Sequence, residues 1–106
     1  MRIAIFITCP NKKEARQIAK ALVEERLAAC VNIVEKVESI FRWQGKLDKA
    51  KEVLLVVKSK RTQFPKVIRL VKSLHSYRVP EIIAFDITLG EKNYLNWIDE
   101  SLRKSG

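Results

Sequence analysis

The stretch Ala29-Cys30-Val31-Asn32-Ile33-Val34-Glu35-Lys36-Val37-Glu38-Ser39-Ile40-Phe41-Arg42-Trp43, followed by Gln44-Gly45 and the run Val53-Leu54-Leu55-Val56-Val57, decides the fold. Ala29, Val31, Ile33, Val37, Phe41 and Trp43 share one parity, the period of two that marks a half-buried strand. Gln44-Gly45 is a turn signal, and residues 51–59 return as a second strand, which makes a hairpin with its loop around 44–50. A strand over 29–43 spans roughly 50 Å at about 3.3 Å per residue, whereas a compact chain of ~100 residues has a radius of gyration of about 13 Å. The hairpin must therefore bend, bulge or project past its own domain. A projecting hairpin offers unpaired edges to another chain, and a bulged strand curling over its own core is the alternative.

Outward from the hairpin, residues 2–9 read as a strand through Ile3, Ile5, Phe6 and Ile7, stopped by Pro10-Asn11. Asn11 with Glu14 three residues on resembles a capping box. Ala15, Ile18, Ala19, Leu22 and Val23 then follow at helical spacing, giving a helix over 12–27. Thr62 is placed to cap a second helix with Pro65 in its first turn, and Phe64, Val67, Ile68, Val71 and Leu74 form its buried stripe. Residues 81–88 form a fourth strand and residues 92–104 a last helix. The order is βαββαβ plus a C-terminal helix, an α+β, ferredoxin-like plan with both long helices on one face of a four-stranded antiparallel sheet. The runs Ile3–Ile7, Val53–Val57 and Ile82–Phe85 do not alternate with polar residues, so both faces of those strands call for cover. The short last helix covers part of the second face, and the rest implies a partner subunit and an obligate homo-oligomer.

With 106 residues, 47% hydrophobic and 31% charged, the sequence describes one folded domain over 1–106 and excludes a disordered polar chain. No apolar run approaches the ~18–20 residues of a membrane span, and no signal peptide is expected ahead of Arg2-Ile3-Ala4. Cys9 and Cys30 form neither a disulfide framework nor a C-x-x-C pair, which fits a reducing, cytoplasmic location. The 21 Lys and Arg against 12 Asp and Glu give a net charge of +9. That charge admits an anionic partner such as nucleic acid or a phosphate ligand. The basic residues are scattered in short clusters (Lys12-Lys13, Lys58 to Arg61, Arg103-Lys104), as on a solvated Lys-rich surface of the kind heat-tolerant proteins carry. An RNA-recognition module of this plan places aromatics on its third strand. Glu52 to Lys58 has none, so a nucleic-acid partner is disfavoured.

Hydrolytic and nucleotide-binding motifs are absent: there is no Gly-rich phosphate loop and no G-x-S-x-G, and no enzyme is expected. The one histidine, His75, lies in Leu74-His75-Ser76-Tyr77-Arg78-Val79-Pro80-Glu81. A metal site needs several ligands, and oligomer symmetry can gather copies of His75, Glu81 and a cysteine such as Cys9. Imidazole and carboxylate suit divalent transition metals, and thiolate suits Cu(I). The plainer readings are a hydrogen-bonded histidine and cysteines that serve as small apolar residues. Trp43, Lys58, Tyr77, Tyr94 and Trp97 are candidates for a pocket at a subunit interface. Core packing accounts equally for the aromatics, and solvent contact for Lys58.

Taken in order, Leu27-Ala28-Ala29-Cys30-Val31-Asn32-Ile33, Trp43-Gln44-Gly45-Lys46, Glu52 to Ser59, His75 to Ile82 and Tyr94-Leu95-Asn96-Trp97 resemble the CutA family of divalent-cation tolerance proteins across nearly the whole chain. The resemblance implies a homotrimer, PII-like in architecture, whose extended hairpins pair between subunits and leave clefts between protomers. It also implies binding of copper or another divalent cation, or a small ligand, at those interfaces, in metal tolerance or signalling with a protein partner of unidentified kind. His75 matches the family's histidine, Tyr77, Pro80 and Glu81 its surrounding motif, and Trp43, Gly45, Glu52 and Lys58 the other motifs. The chain departs from the pattern at Ser59, Ser76 and Arg78. It has Leu74 where some copper-binding members carry a second histidine, and their first-strand cysteine aligns nearer Ile7 than Cys9. The alternative is a PII-like adaptor that senses anions or small ligands without physiological metal binding.

Overall fold

The computed structural model describes residues 1–103. Strand β1 (Arg2–Cys9), helix α1 (Lys12–Glu24), strands β2 (Cys30–Trp43) and β3 (Lys46–Lys60), helix α2 (Phe64–Leu74), strand β4 (Ile82–Asp86) and helix α3 (Lys92–Ser101) follow in that order. The sheet runs β2-β3-β1-β4 with every neighbouring pair antiparallel, which is the α+β, ferredoxin-like plan. Ile3, Ile5, Ile7 and Cys9 of β1 and Val53, Leu55 and Val57 of β3 share one face of the sheet. They are buried against Ala15, Ile18, Ala19 and Leu22 of α1 and Val67 and Val71 of α2.

Helix starts and stops follow local chemistry. The Asn11 side chain accepts from the Glu14 N–H at 2.8 Å, as the sequence predicts, but Glu14 does not complete the box and turns toward α2 instead. Helix α1 ends at Glu24, before the expected 27, because Arg26 takes a left-handed φ of 56° and the N–H groups of Leu27 and Ala28 both fold back onto the Leu22 carbonyl. Thr62 caps nothing: it lies in a short 3-10 turn, Arg61–Gln63, and α2 starts at Phe64 with Pro65 in its first turn. Strand β4 is shorter than the expected 81–88. Helix α3 begins at 92 as expected, with Glu91 accepting from the Asn93 and Tyr94 N–H groups. It ends at Ser101, and residue 104 of the expected helix lies outside the described residues.

The hairpin differs most from its sequence reading. Its loop is the two-residue turn Gln44-Gly45, with φ 50° and 78°, the positive dihedrals that match the twist of paired strands. Strand β3 therefore begins at Lys46. The segment 46–51 escapes detection because its charged residues leave no apolar alternation. Pairing shifts between Val34 and Val37, where β2 carries one residue more than β3, and Lys36 takes φ 62° in the bulge. The parity assigned across 29–43 is thus broken: Val31 and Ile33 stand opposite core residues Val57 and Leu55, while Val37 and Phe41 stand opposite Glu52 and Asp48. Strand β1 pairs with β3 only as far as Val53, so the ribbon beyond it has free edges, and the molecule measures 48 × 28 × 22 Å. The hairpin both bulges and projects.

The second sheet face is only partly covered. Helix α3 docks at one end through Asp99, which takes two hydrogen bonds from Arg2 at 2.7 and 3.1 Å, and through Ile98 and Leu102 against Ala29. Farther along, Phe6, Leu54 and Val56 are half-buried, and Ile83 and Phe85 are exposed, with Phe85 edge-on to Phe6 at 5.1 Å.

Leu55 is fully buried and Leu47 is 75% exposed near the hairpin turn. Leu55→Ala is expected to lower stability by about 2–5 kcal/mol and Leu47→Ala by no more than about 0.5 kcal/mol, measured by urea denaturation at one fixed protein concentration.

Candidate functional site

A cavity of about 640 Å³ lies beside the hairpin. Its lining comes from four segments: Ser39, Phe41 and Trp43 of β2, Asp48 and Glu52 of β3, Thr8 at the end of β1, and the stretch that leaves α2, with Tyr77, Arg78 and Glu81. The bulge puts these residues together. Beyond it Phe41 stands directly opposite Asp48 and Val37 opposite Glu52, and cross-strand partners point to the same side of a sheet.

Behind the cavity, side chains interlock. The His75 ring is fully buried, with Nε2 at 2.7 Å from the Thr8 carbonyl and Nδ1 accepting the Tyr77 N–H at 3.0 Å. One neutral tautomer, with its proton on Nε2, satisfies both contacts. Glu14 lies 3.4 Å from Nδ1 and accepts the Ser76 N–H at 3.2 Å, which ties α1 to the start of the cavity segment. The Tyr77 hydroxyl donates to Glu52 at 3.0 Å. Burial pushes the Tyr77 phenol up to about 12, reinforced by its bond to Glu52. Cys9 is fully buried. Its thiol is also pushed up to about 12, first by burial and then by the carboxylates of Glu14 and Glu52.

Glu52 is the electrostatic centre of this arrangement. It is only 8% exposed, and among the described residues it is in no ion pair. Burying a carboxylate without a cation is costly, and the Glu52 side chain lines a cavity with two further carboxylates, Asp48 and Glu81, and one guanidinium, Arg78.

The residues singled out in the sequence fall into separate groups. Trp43, Tyr77 and Glu81 line the cavity, and His75 and Cys9 stand behind it. Lys58, Tyr94 and Trp97 lie elsewhere: Lys58 bonds Asn32 across the strand pair and sits opposite Cys30. Tyr94 lies against Cys30, with the Trp97 ring 5.5 Å away. Among the described residues no three His, Cys, Asp or Glu side chains converge on one point that could hold a metal ion. Ligation by His75 would break a hydrogen bond at whichever ring nitrogen is used, and ligation by Cys9 would require deprotonating a thiol that its surroundings keep protonated. The sequence reading missed Phe41, Asp48 and Arg78 as lining residues, and Glu52 as the buried charge. The available signal was Glu52 itself, a carboxylate directly ahead of the apolar run Val53–Val57.

This fold, with a cleft beside an extended hairpin, defines a class of small α+β proteins. A family model described as CutA1 divalent ion tolerance protein matches residues 3–101. The divalent-cation tolerance protein CutA of Thermus thermophilus is 52% identical over 101 residues, 95% of this chain and 98% of that protein. Its Archaeoglobus fulgidus counterpart is 46% identical over 92% and 95%. The mouse protein CutA is 43% identical over 97% of this chain, which spans only 60% of the mouse protein. The Thermus thermophilus CutA1 structure superimposes with a TM-score of 0.94 over 95% of this chain and 98% of its own, and that of Xylella fastidiosa CutA, 38% identical, with 0.93 over 96% and 98%. The chain belongs to the CutA1 divalent ion tolerance family. Among the described residues no helix is long and apolar enough to cross a membrane.

The raised acidities of Cys9 and Tyr77 set an alkaline limit. In the folded chain both groups hold their protons up to about pH 12, whereas unfolded they release them near 9.0 and 10.0. Their contribution is complete below about pH 9 and is lost as pH rises toward 12. Urea midpoints are expected to fall steadily above about pH 9, and Cys9→Ala and Tyr77→Phe to flatten that decline.

Proposed function

We propose that this chain works as a homotrimeric cation-binding protein in divalent-cation tolerance, taking a hydrated divalent ion such as copper(II) in the hairpin cavity at the subunit boundary. The observation that carries the reading is Glu52, a buried carboxylate with no cation, facing a space shared with Asp48 and Glu81. Carboxylate oxygens ligate divalent ions that keep part of their water shell, and at a given oxygen site copper(II) binds more tightly than the other first-row divalent ions. A first carboxylate inside the chain, with further donors from water or a neighbouring subunit, fits a cargo ion better than a permanently caged one. The action is binding rather than catalysis, in a reducing, cytoplasm-like compartment, with any downstream protein partner reading the loaded state. Three carboxylates against one arginine weigh against an anion in this cavity, and so against an anion-sensing adaptor that would use it.

Two features support assembly. The face carrying Phe6, Ile83 and Phe85 lacks cover in the single chain, and the ribbon beyond Val53 offers strand edges for pairing with another copy. Covering both at once calls for contacts on two sides of each subunit, as in a closed ring.

Light scattering during size exclusion at micromolar concentration is expected to give the trimer mass. Phe85→Lys is expected to shift it toward monomer, and a folded wild-type monomer would contradict the assembly. Calorimetric titration with copper(II) at about pH 7.5 is expected to show saturable binding that Glu52→Gln weakens tenfold or more and that His75→Gln leaves within about twofold. A loss confined to His75→Gln would move the site to the imidazole.

A further inference from the structure

We infer that the hairpin cavity also binds an organic polycation of the linear polyamine class, with ammonium groups spaced along a flexible methylene chain. The inference rests on the reading of the cavity as a cation site and adds the chemical class of a second ligand.

Three observations carry it. First, Glu52 is 8% exposed, among the described residues its carboxylate is met only by the Tyr77 hydroxyl at 3.0 Å, and this occurs in a chain of net charge +9. Lysines and arginines abound, yet none among the described residues reaches it. Second, the three carboxylates lining the cavity are spread around about 640 Å³ rather than gathered on one point. A single small ion can compensate one of them closely but not all three. A ligand with several ammonium groups separated by methylenes can place a charge near each, and this volume is that of a site for an organic molecule. Third, the rings of Phe41, Trp43 and Tyr77 form part of the lining. Aromatic faces attract ammonium groups and pack against methylenes, whereas they give a hydrated metal ion nothing. Arg78 is the one opposing charge in the lining, and it disfavours an ammonium group at its own end of the cavity.

The net charge of +9 disfavours non-specific attachment of a polycation elsewhere on the surface. The intact protein is titrated calorimetrically with spermidine, and separately with copper(II), at about pH 7.5. Saturable spermidine binding at one per chain is expected. Trp43→Ala should weaken it about five- to tenfold by removing a cation–π wall, and Glu52→Gln by tenfold or more. Trp43 is half exposed, so this variant should keep the wild-type melting temperature. Glu52→Gln should lower copper(II) affinity as well. Absence of saturable spermidine binding, or binding indifferent to both substitutions, overturns the polyamine inference. If copper(II) still binds in a Glu52-dependent way, the cation-site reading survives that failure, and if neither ligand binds, both fall.

Discussion

Between Val34 and Val37, strand β2 uses one residue more than β3, and Lys36 adopts a left-handed φ of 62° to accommodate it. Because side chains alternate with a period of two, one extra residue moves everything beyond it to the opposite side of the ribbon. Before the bulge, odd-numbered residues of β2 stand over the helical core. After it, Phe41 and its same-parity neighbours stand opposite Asp48 and Glu52, away from that core. Without the extra residue, Phe41 and Trp43 would share the helical side, and no aromatic wall would face the buried carboxylate. The cavity follows from one irregularity in pairing, and the local strain of a non-glycine residue at positive φ accompanies it.

The charge distribution of the chain sharpens the meaning of that cavity. Lys13, Arg16, Lys66, Arg69 and Lys72 are exposed on the two long helices, while Asp48, Glu52 and Glu81 line the cavity beside the hairpin. Glu14 turns away from its own helix start toward His75 and Ser76, and Glu52 is held by Tyr77. The network His75–Thr8, Tyr77–His75 and Tyr77–Glu52 joins β1, α2 and β3 through buried hydrogen bonds. Such a network is worth its desolvation only when each member is satisfied, and each buried polar side-chain atom described has a partner. The Cys9 thiol and the Tyr77 phenol hold their protons more tightly than usual beside the carboxylates of Glu14 and Glu52.

Much of this was legible in the sequence where period and caps speak directly. Strand β1, the two long helices, the Asn11 cap and the hairpin all follow from apolar spacing and turn residues. So does the need for a cover on the second face, from runs such as Val53–Val57 that do not alternate. What the sequence hid has physical causes. Lys46 to Lys51 form a strand because backbone pairing across a tight Gln44-Gly45 turn holds them, and that pairing leaves no mark on a charged stretch. The bulge was invisible because Ser39, Phe41 and Trp43 keep the parity of Val31 and Ile33, while the face to which parity refers changes. Glu14 read as a helix cap since its spacing from Asn11 permits that, and its longer-range partners lie 61 and 62 positions away. Trp43, Tyr77 and Glu81, singled out in the sequence, line the cavity, but Glu52 becomes informative only when its burial is known.

The proposed assembly and the cavity share one ribbon. Beyond Val53, β2 and β3 pair only with each other, and a two-stranded hairpin by itself is marginal in water. Yet this is the segment that carries Phe41, Trp43 and Asp48, one wall of the cavity. A neighbouring chain that pairs along the ribbon edge would add a third strand, fix its twist and hold that wall against Tyr77 and Glu81. The ordering cost of the wall would then fall on assembly rather than on ligand binding, which is how preorganisation raises affinity. Linkage requires the reverse effect as well: a cation that bridges Glu52 to the ribbon favours the conformation in which the ribbon's edges are ready to pair. On the proposed assembly, the projecting hairpin would serve both as the means of association and as one side of the cavity.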